Sequence, residues 1–266
     1  MKETHCSEFK YFSTFLKITS YGITYFSRLM RSILLNNYKR HKLWILPLLL
    51  LLAITTFLSS IDLWVATFAF FSKDPISGGF FSTPFLDWVY LYGVVPSQVV
   101  CALACLALLF SLWIPSLCKF RKACFCLVLT LGLGSGLITH SMLKEWWGRP
   151  RSRQITEFGG SQNFRPYWQP LFKNSTETSR SFPSGHSTCG FFFFSFYFIA
   201  RRYQIKWLAN TALFVSFLLG GVLSAARIIQ GGHFTSDVLI AALIMWETAY
   251  VVDYLFFEYP SQKHAL

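Results

Sequence analysis

Long apolar runs alternate with short polar and basic connections along most of this chain. A membrane-spanning helix needs about 20 largely apolar residues, and the runs that approach this length lie at 43–60, 94–113, 123–143, 187–200, 207–226 and 234–257. A further apolar run at 63–71 is too short to span, and aromatic residues follow it up to Tyr92. The pattern predicts an all-α membrane protein with six transmembrane helices in a bundle and an interfacial segment after the first helix.

The composition agrees with this prediction. Of the 266 residues, 53% are hydrophobic, 19% are aromatic and only 14% are charged, whereas soluble domains contain about 25% charged residues. The formal net charge of +12 would suggest a nucleic-acid partner in a soluble protein. Here the cations concentrate in a few connections between apolar runs, so we expect the bilayer as partner and no nucleic acid.

The positions of Lys and Arg predict the orientation of the helices. They concentrate in residues 1–42 and in the connections 114–122 and 201–206, and such connections lie in the cytoplasm. Both termini are therefore predicted to be cytoplasmic. We expect a basic cytoplasmic or interfacial arm at 1–42, one six-helix domain at 43–260 and a cytoplasmic tail at 261–266. The seven cysteines suggest no disulfide framework.

Three polar stretches are predicted to lie together on the outward side. The first, 144–152, contains Lys144, Arg149 and Arg151; the second is Pro183-Ser184-Gly185-His186; the third contains Arg227, His233 and Asp237. A phosphate group needs cations and neutral donors around its oxygens. Lys144, Arg151 and Arg227 are candidate cations for it, and Ser184 and the backbone of Gly185 are candidate neutral donors.

The two histidines suggest separate chemical roles. His233 and Asp237 are four residues apart, so they share a face if a helix begins near them. A carboxylate that accepts a hydrogen bond from one imidazole nitrogen leaves the other nitrogen to attack phosphorus. His186 is then a candidate acid for the departing oxygen. Two histidines and an aspartate are also compatible with a metal site, but the neighbouring cations favour an anion, so we expect no metal or other cofactor.

Together, the three stretches resemble the signature of the type 2 phosphatidic acid phosphatase superfamily. The separations of Lys144 from Arg151 and of Arg227 from His233 and Asp237 match it, as does Pro-Ser-Gly-His in full. Ser152 and Ala226 depart from it, standing where the signature has proline and serine. Arg149 has the wrong separation from Lys144, so it is a candidate for supporting the site or for binding substrate, and Arg153 is a second candidate for binding substrate.

This resemblance implies a six-helix, metal-independent phosphatase that forms a phosphohistidine on His233 with His186 as acid. The segment 149–160 is also similar to bacterial lipid A phosphatases within the family. It implies a phosphorylated lipid substrate, best lipid A, at the periplasmic face of a bacterial inner membrane. Phosphatidylglycerophosphate or undecaprenyl diphosphate are alternative substrates. A lipid phosphotransferase and a noncatalytic lipid-binding or transport protein are alternative functions.

Overall fold

The computed structural model describes residues 38–172 and 179–257, and residues 38–43 and 51–56 by their backbone alone. The predicted arm up to residue 37 and the predicted tail at 261–266 lie outside the described residues. The chain divides into two compact units, Met1–Leu50 and Leu51–Leu266. In the first unit, all the described residues belong to a single helix.

That helix, α1, runs without interruption over 34 residues, Tyr38–Phe71. Pro47 lies inside it, and the next Pro or Gly in the sequence is Pro75. No helix-breaking residue therefore separates the predicted span at 43–60 from the apolar run at 63–71. The predicted break between them is wrong, because residues 63–71 continue α1.

Two helices follow in close succession after a short loop. Helix α2, Pro84–Tyr92, begins at Thr83, whose hydroxyl accepts a hydrogen bond from the amide of Leu86 at 3.3 Å. Helix α3, Val95–Phe110, follows after two intervening residues. Together they form an apolar stretch of 27 residues, Pro84–Phe110, long enough to cross a membrane.

The next long helix changes its winding along its length. A 3-10 turn, Pro115–Phe120, leads into helix α4, Arg121–Leu129, which continues as a wider π-helix, Thr130–Lys144. Hydroxyl hydrogen bonds spaced five residues apart fit this widening: Thr139 donates to the carbonyl of Gly134 at 2.8 Å, and Ser141 to that of Gly136 at 3.2 Å.

The predicted fourth span is divided into two helices, α5 at Gly185–Phe191 and α6 at Phe194–Arg202. Two longer helices follow, α7 at Lys206–Ile229 and α8 at Thr235–Phe257. Helices α5 and α7 pack through glycines: a Cβ atom on Gly190 would lie 2.6 Å from the backbone of Gly220. Such contacts allow helix backbones to approach closely.

Away from this contact, aromatic rings and one ion pair join α6 to α8. The ring of Trp246 lies 5.1 Å from that of Phe194 and 4.9 Å from that of Phe198. Near the other end of α8, Arg202 pairs with Asp253 at 2.7 Å, with the Asp253 side chain 5% exposed.

The described residues contain helices and no strand, which confirms the prediction of an all-α protein. Four stretches among them are long and apolar enough to span a membrane: Pro84–Phe110, Pro115–Lys144, Lys206–Ile229 and Thr235–Phe257. They match the second, third, fifth and sixth predicted spans. The full count of six spans and the orientation of the termini remain predictions.

Candidate active site

Hydrogen bonds join the first predicted stretch to the third. The hydroxyl of Ser152 donates to the backbone carbonyl of His233 at 3.1 Å, and the amide of Arg153 donates to the carbonyl of Gly231 at 3.1 Å. Ser152 is fully buried. The serine that departs from the family signature thus fastens the loop between α7 and α8.

The second stretch is joined to both of the others. The amide of Ser181 donates to the carbonyl of Arg149 at 3.0 Å, and the amide of Ser184 donates to the carbonyl of Asp237 at 3.2 Å. The structure therefore brings the three stretches together, as their predicted placement on one side of the membrane requires. They meet beside the C-terminal ends of the π-helix Thr130–Lys144 and of α7 and the N-terminal ends of α5 and α8.

Ser184 and Gly185 open helix α5 in a closely packed environment. The hydroxyl of Ser184 caps the helix by accepting from the amide of Ser187 at 3.4 Å, and it also accepts from the hydroxyl of Ser187 at 2.8 Å. A Cβ atom on Gly185 would lie 2.5 Å from Nε2 of His140. A side chain at this position would require the ring of His140 to move, so the glycine lets α5 begin directly against that ring.

His233 and Asp237 pair across the start of α8. Nδ1 of His233 lies 3.5 Å from Oδ2 of Asp237 and 3.4 Å from the hydroxyl of Ser181. The same carboxylate oxygen accepts from Ser181 at 2.5 Å and from the amide of Phe234 at 2.9 Å. The Nδ1 side of the ring is thus engaged, and Nε2 is the nitrogen available for attack.

The environment of His233 keeps its ring unprotonated at neutral pH. Burial lowers the pKa of His233 to about 4, and the cations of Arg227 and Lys144 act in the same direction, while Asp237 partly offsets them. The side chain is 2% exposed. An unprotonated, buried imidazole held by a carboxylate has the properties of a nucleophile.

Arg227 lies beside the same loop with one donor unused. Its Nη1 donates to Gln230 at 2.8 Å, and its guanidinium carbon lies 4.6 Å from the ring centre of Tyr90. Its Nε is buried without a hydrogen-bond partner among the described residues. Gly232 allows this close packing, since a Cβ atom there would lie 2.2 Å from Nη2. A buried donor of this kind is suited to a ligand oxygen.

Lys144 and Arg151 extend the cationic surface. Lys144 lies near enough to Arg151 and Arg227 to be repelled by both. Burial and the charge of the exposed Arg153 lower the pKa of Arg151. Cations gathered in a partly buried region repel one another, and a bound anion offsets this repulsion. The predicted phosphate-binding cations therefore lie together.

His186 stacks on an aromatic ring of α2. Its ring lies 4.4 Å from that of Tyr90 with an angle of 20° between the planes. Burial lowers the pKa of His186 to about 3, and nearby Arg227, His233 and Lys144 add to the effect. His186 and His233 thus lie within electrostatic reach of each other, and both are unprotonated in the free site at neutral pH.

Arg149 is fully buried and contacts two carboxylates. It donates to Asp237 and, at 2.8 Å, to Asp62. Its Nε donates to the carbonyl of Arg165 at 2.8 Å, and its guanidinium lies 4.5 Å from the ring centre of Phe234. Of the two roles predicted for Arg149, support of the site is the one that these contacts fit.

The sequence did not indicate the roles of two residues that contact the site. Asp62 lies in α1, far from the three stretches along the chain, and Tyr90 is one of several aromatic residues between residues 80 and 92. Neither has a local spacing that marks it. The aspartate within an apolar run was the signal available for Asp62, since intramembrane charges face protein partners.

The arrangement favours an anion over a cation. Within residues 38–172 and 179–257, no three His, Cys, Asp or Glu side chains are grouped to hold a metal ion. His186, His233 and Asp237 instead lie beside the cations Arg227 and Lys144. A tetrahedral phosphate is the ligand that this charge distribution suits.

Comparisons with known proteins agree with this geometry. A curated relative is the lipid A 4′-phosphatase of Francisella tularensis subsp. novicida (strain U112), which is 33% identical over 134 residues. The match covers 50% of this chain and 58% of the relative, so the chain spans less than two thirds of the relative's length. No solved structure matches the chain. Residues 123–260, more than half of the sequence, match the PAP2 superfamily, and the chain belongs to that family.

Proposed function

We propose that this protein is an integral membrane lipid phosphatase that removes a phosphate from a lipid headgroup through a phosphohistidine. The observation that supports this most directly is the convergence of the His233–Asp237 pair with His186 and the cations Arg227 and Lys144. A binding protein would need the cations, but it would have no use for a nucleophile and an acid.

In the first step, Nε2 of His233 attacks phosphorus and the bond from phosphorus to the lipid oxygen breaks. The Nδ1 proton stays in its contact with Asp237, which stabilises the positive charge that develops on the ring. Since the pKa of His233 is about 4, the nucleophile is already unprotonated at neutral pH. No base is needed to activate it.

His186 supplies the proton to the departing lipid oxygen. Its pKa of about 3 means that it is unprotonated in the free site. A bound phosphate brings negative charge beside the ring and raises the pKa. The proton therefore arrives with the phosphate, which links acid catalysis to substrate binding.

The phosphate oxygens are held by the predicted cations and donors. Arg227 has its unpartnered Nε in the site, and Lys144 and Arg151 lie near it. Ser184 uses its oxygen as an acceptor in the helix cap and retains its hydroxyl proton as a donor. The amides at the start of α5, at Gly185, also favour an anion.

The second step regenerates the enzyme. Water attacks phosphorus while His186, unprotonated after the first step, takes the water proton. The bond from phosphorus to Nε2 breaks and its electron pair returns to the imidazole of His233. His186 passes the water proton to the phosphate, which leaves as inorganic phosphate, and both histidines are again unprotonated.

Lipid A is the substrate that we propose. The site lies at the ends of three candidate spans, where a headgroup can reach it while acyl chains stay in the bilayer. The relative named above is a lipid A 4′-phosphatase, and segment 149–160 lies within residues 123–260, which match the family. With the predicted cytoplasmic termini, this loop faces the periplasm of a bacterial inner membrane.

Purified protein tests the proposal through phosphate release from lipid A, phosphatidylglycerophosphate, phosphatidic acid and undecaprenyl diphosphate. We expect the highest kcat/KM with lipid A and none in the variant His233→Ala. Preference for another lipid would reassign the substrate. Transfer of the phosphate to a second lipid without release would identify a phosphotransferase, and binding without turnover would identify a lipid-binding protein.

Metal independence is tested with the same assay. Full turnover in excess chelator is expected, because the phosphate is held by Arg and Lys side chains in the proposed mechanism. Loss of turnover that a divalent cation restores would contradict it. A phosphoenzyme trapped by acid-free quenching and absent from His233→Ala would support the covalent intermediate.

A further inference from the structure

Asp62 is a fully buried carboxylate from α1 that contacts the third stretch. Its Oδ1 accepts from the amide of Ser236 at 2.7 Å, and its Oδ2 accepts from the hydroxyl of Ser236 at 2.6 Å. The same Oδ2 accepts from Arg149 at 2.8 Å. Asp62 thus holds the first turn of α8, one residue before Asp237.

Arg149 lies between two carboxylates. Its Nη2 donates to Asp62 at 2.8 Å, and its Nη1 donates to Asp237 and, at 2.7 Å, to Ser236. The side chains of Arg149, Asp62 and Asp237 are all 0% exposed. One cation is therefore shared by two acids where water does not screen their charges.

Because Asp62 and Asp237 share Arg149, Asp237 keeps more of its negative charge towards His233. If Asp237 were the sole acid on Arg149, the guanidinium would cancel most of its charge. With both carboxylates ionised, Asp62, Arg149 and Asp237 together have one net negative charge. The ring of His233 becomes positive when Nε2 bonds to phosphorus. The one net negative charge of the three side chains then balances the charge of the ring.

We propose that Asp62 is a positioning residue for phosphoryl transfer, acting through Arg149 and Ser236 on Asp237. It balances the charge of Arg149, so that Asp237 retains its negative charge towards His233, and it fixes the first turn of α8. This inference rests on the phosphatase function proposed above. A purely structural helix cap would change stability without changing the rate of the chemical step.

The central variant is Asp62→Asn, which keeps the shape of the side chain and removes its charge. We expect kcat to fall about 10- to 100-fold, the range typical of residues that orient metal-binding histidines, with KM within about threefold of wild type. Asp62→Glu retains a carboxylate, and its kcat should exceed that of Asp62→Asn.

Asp253→Asn is the matched control. Asp253 is also a buried carboxylate paired with an arginine, Arg202, at 2.7 Å. It lies 16 residues beyond Asp237 on α8, about 24 Å along the helix. Asp253→Asn should lower the thermal midpoint as Asp62→Asn does, while the folded protein keeps kcat within about twofold of wild type.

A double variant, Asp62→Asn with Arg149→Gln, covers the case in which Asp62→Asn does not fold. It removes both charges and leaves no unpaired buried cation. Its kcat should lie below that of wild type, because Asp237 loses its contact with Arg149. It should lie above that of Asp62→Asn where the single variant can be measured.

The outcomes separate this inference from the proposed function. If the wild-type protein releases phosphate and kcat is unchanged in Asp62→Asn or in the double variant, the inference about Asp62 is wrong while the phosphatase function stands. Equal kcat losses in Asp62→Asn and Asp253→Asn would contradict the inference in the same way, since they would reflect stability. Wild-type protein that releases phosphate from no lipid would overturn the function, and the inference with it.

Discussion

Tyr90 offers a direct test of how the site is held together. Its ring lies 4.4 Å from that of His186 and 4.6 Å from the guanidinium carbon of Arg227. In the proposed mechanism these are the acid and a phosphate-binding cation. Replacing Tyr90 with leucine removes both contacts while leaving an apolar side chain on α2.

The size of the effect follows from the two contacts. An aromatic pair contributes about 0.5–1.5 kcal/mol beyond its buried area, and a cation above a ring contributes about 0.5–2 kcal/mol. The loss of both is about 1–3.5 kcal/mol. If these contacts hold His186 and Arg227 in position for the transition state, kcat/KM in Tyr90→Leu falls roughly 5- to 400-fold.

Phosphate release by purified protein measures this loss, and Tyr90→Phe is the control. Phenylalanine keeps the ring that makes both contacts, so its kcat/KM should stay within about threefold of wild type. Thermal midpoints of all three proteins establish that each is folded at the assay temperature. Wild-type kcat/KM in a folded Tyr90→Leu, or equal losses in both variants, would refute the role of the ring.

Three further predictions concern the histidines and the helix cap. The pKa of His233 is about 4 in the folded protein and about 6.5 in an unfolded chain, so the unfolded state binds more protons between these values. The free energy of unfolding should therefore fall by up to about 3 kcal/mol from pH 6.5 to pH 4, and thermal unfolding in detergent should show a smaller fall for His233→Gln. In His186→Ala, lipid turnover should drop about 10²- to 10⁴-fold. The initial burst with an aryl phosphate should persist, because its leaving group needs no proton. Equal losses with both substrates would contradict the role of His186 as the acid. Ser184→Ala removes the cap of α5 and should cost about 1 kcal/mol of stability, measured as a lower thermal midpoint, while an unchanged midpoint would show that the cap is not needed.

The spacing of the three stretches predicted which residues would meet, because each stretch begins or ends a helix on the same side. Asp62 could not be assigned from the sequence, since its partner Arg149 is 87 residues away and no local pattern connects them. The continuity of α1 was missed because the predicted boundary followed the length of a span, although no Gly or Pro enforces a break. Four consecutive phenylalanines at residues 191–194 likewise gave no turn signal for the end of α5.

The contact between Gly190 and Gly220 has a consequence for the width of the phosphate site. Backbone meets backbone there, and the ring of Phe191 packs against Gly220, so a side chain at either glycine would push α5 and α7 apart. Gly190 lies about 6 Å along its helix from His186, and Gly220 lies about 10 Å from Arg227. Because both helices lead from this contact towards the site, a larger residue at Gly190 is expected to move α5 away from α7 and to widen the gap between His186 and Arg227.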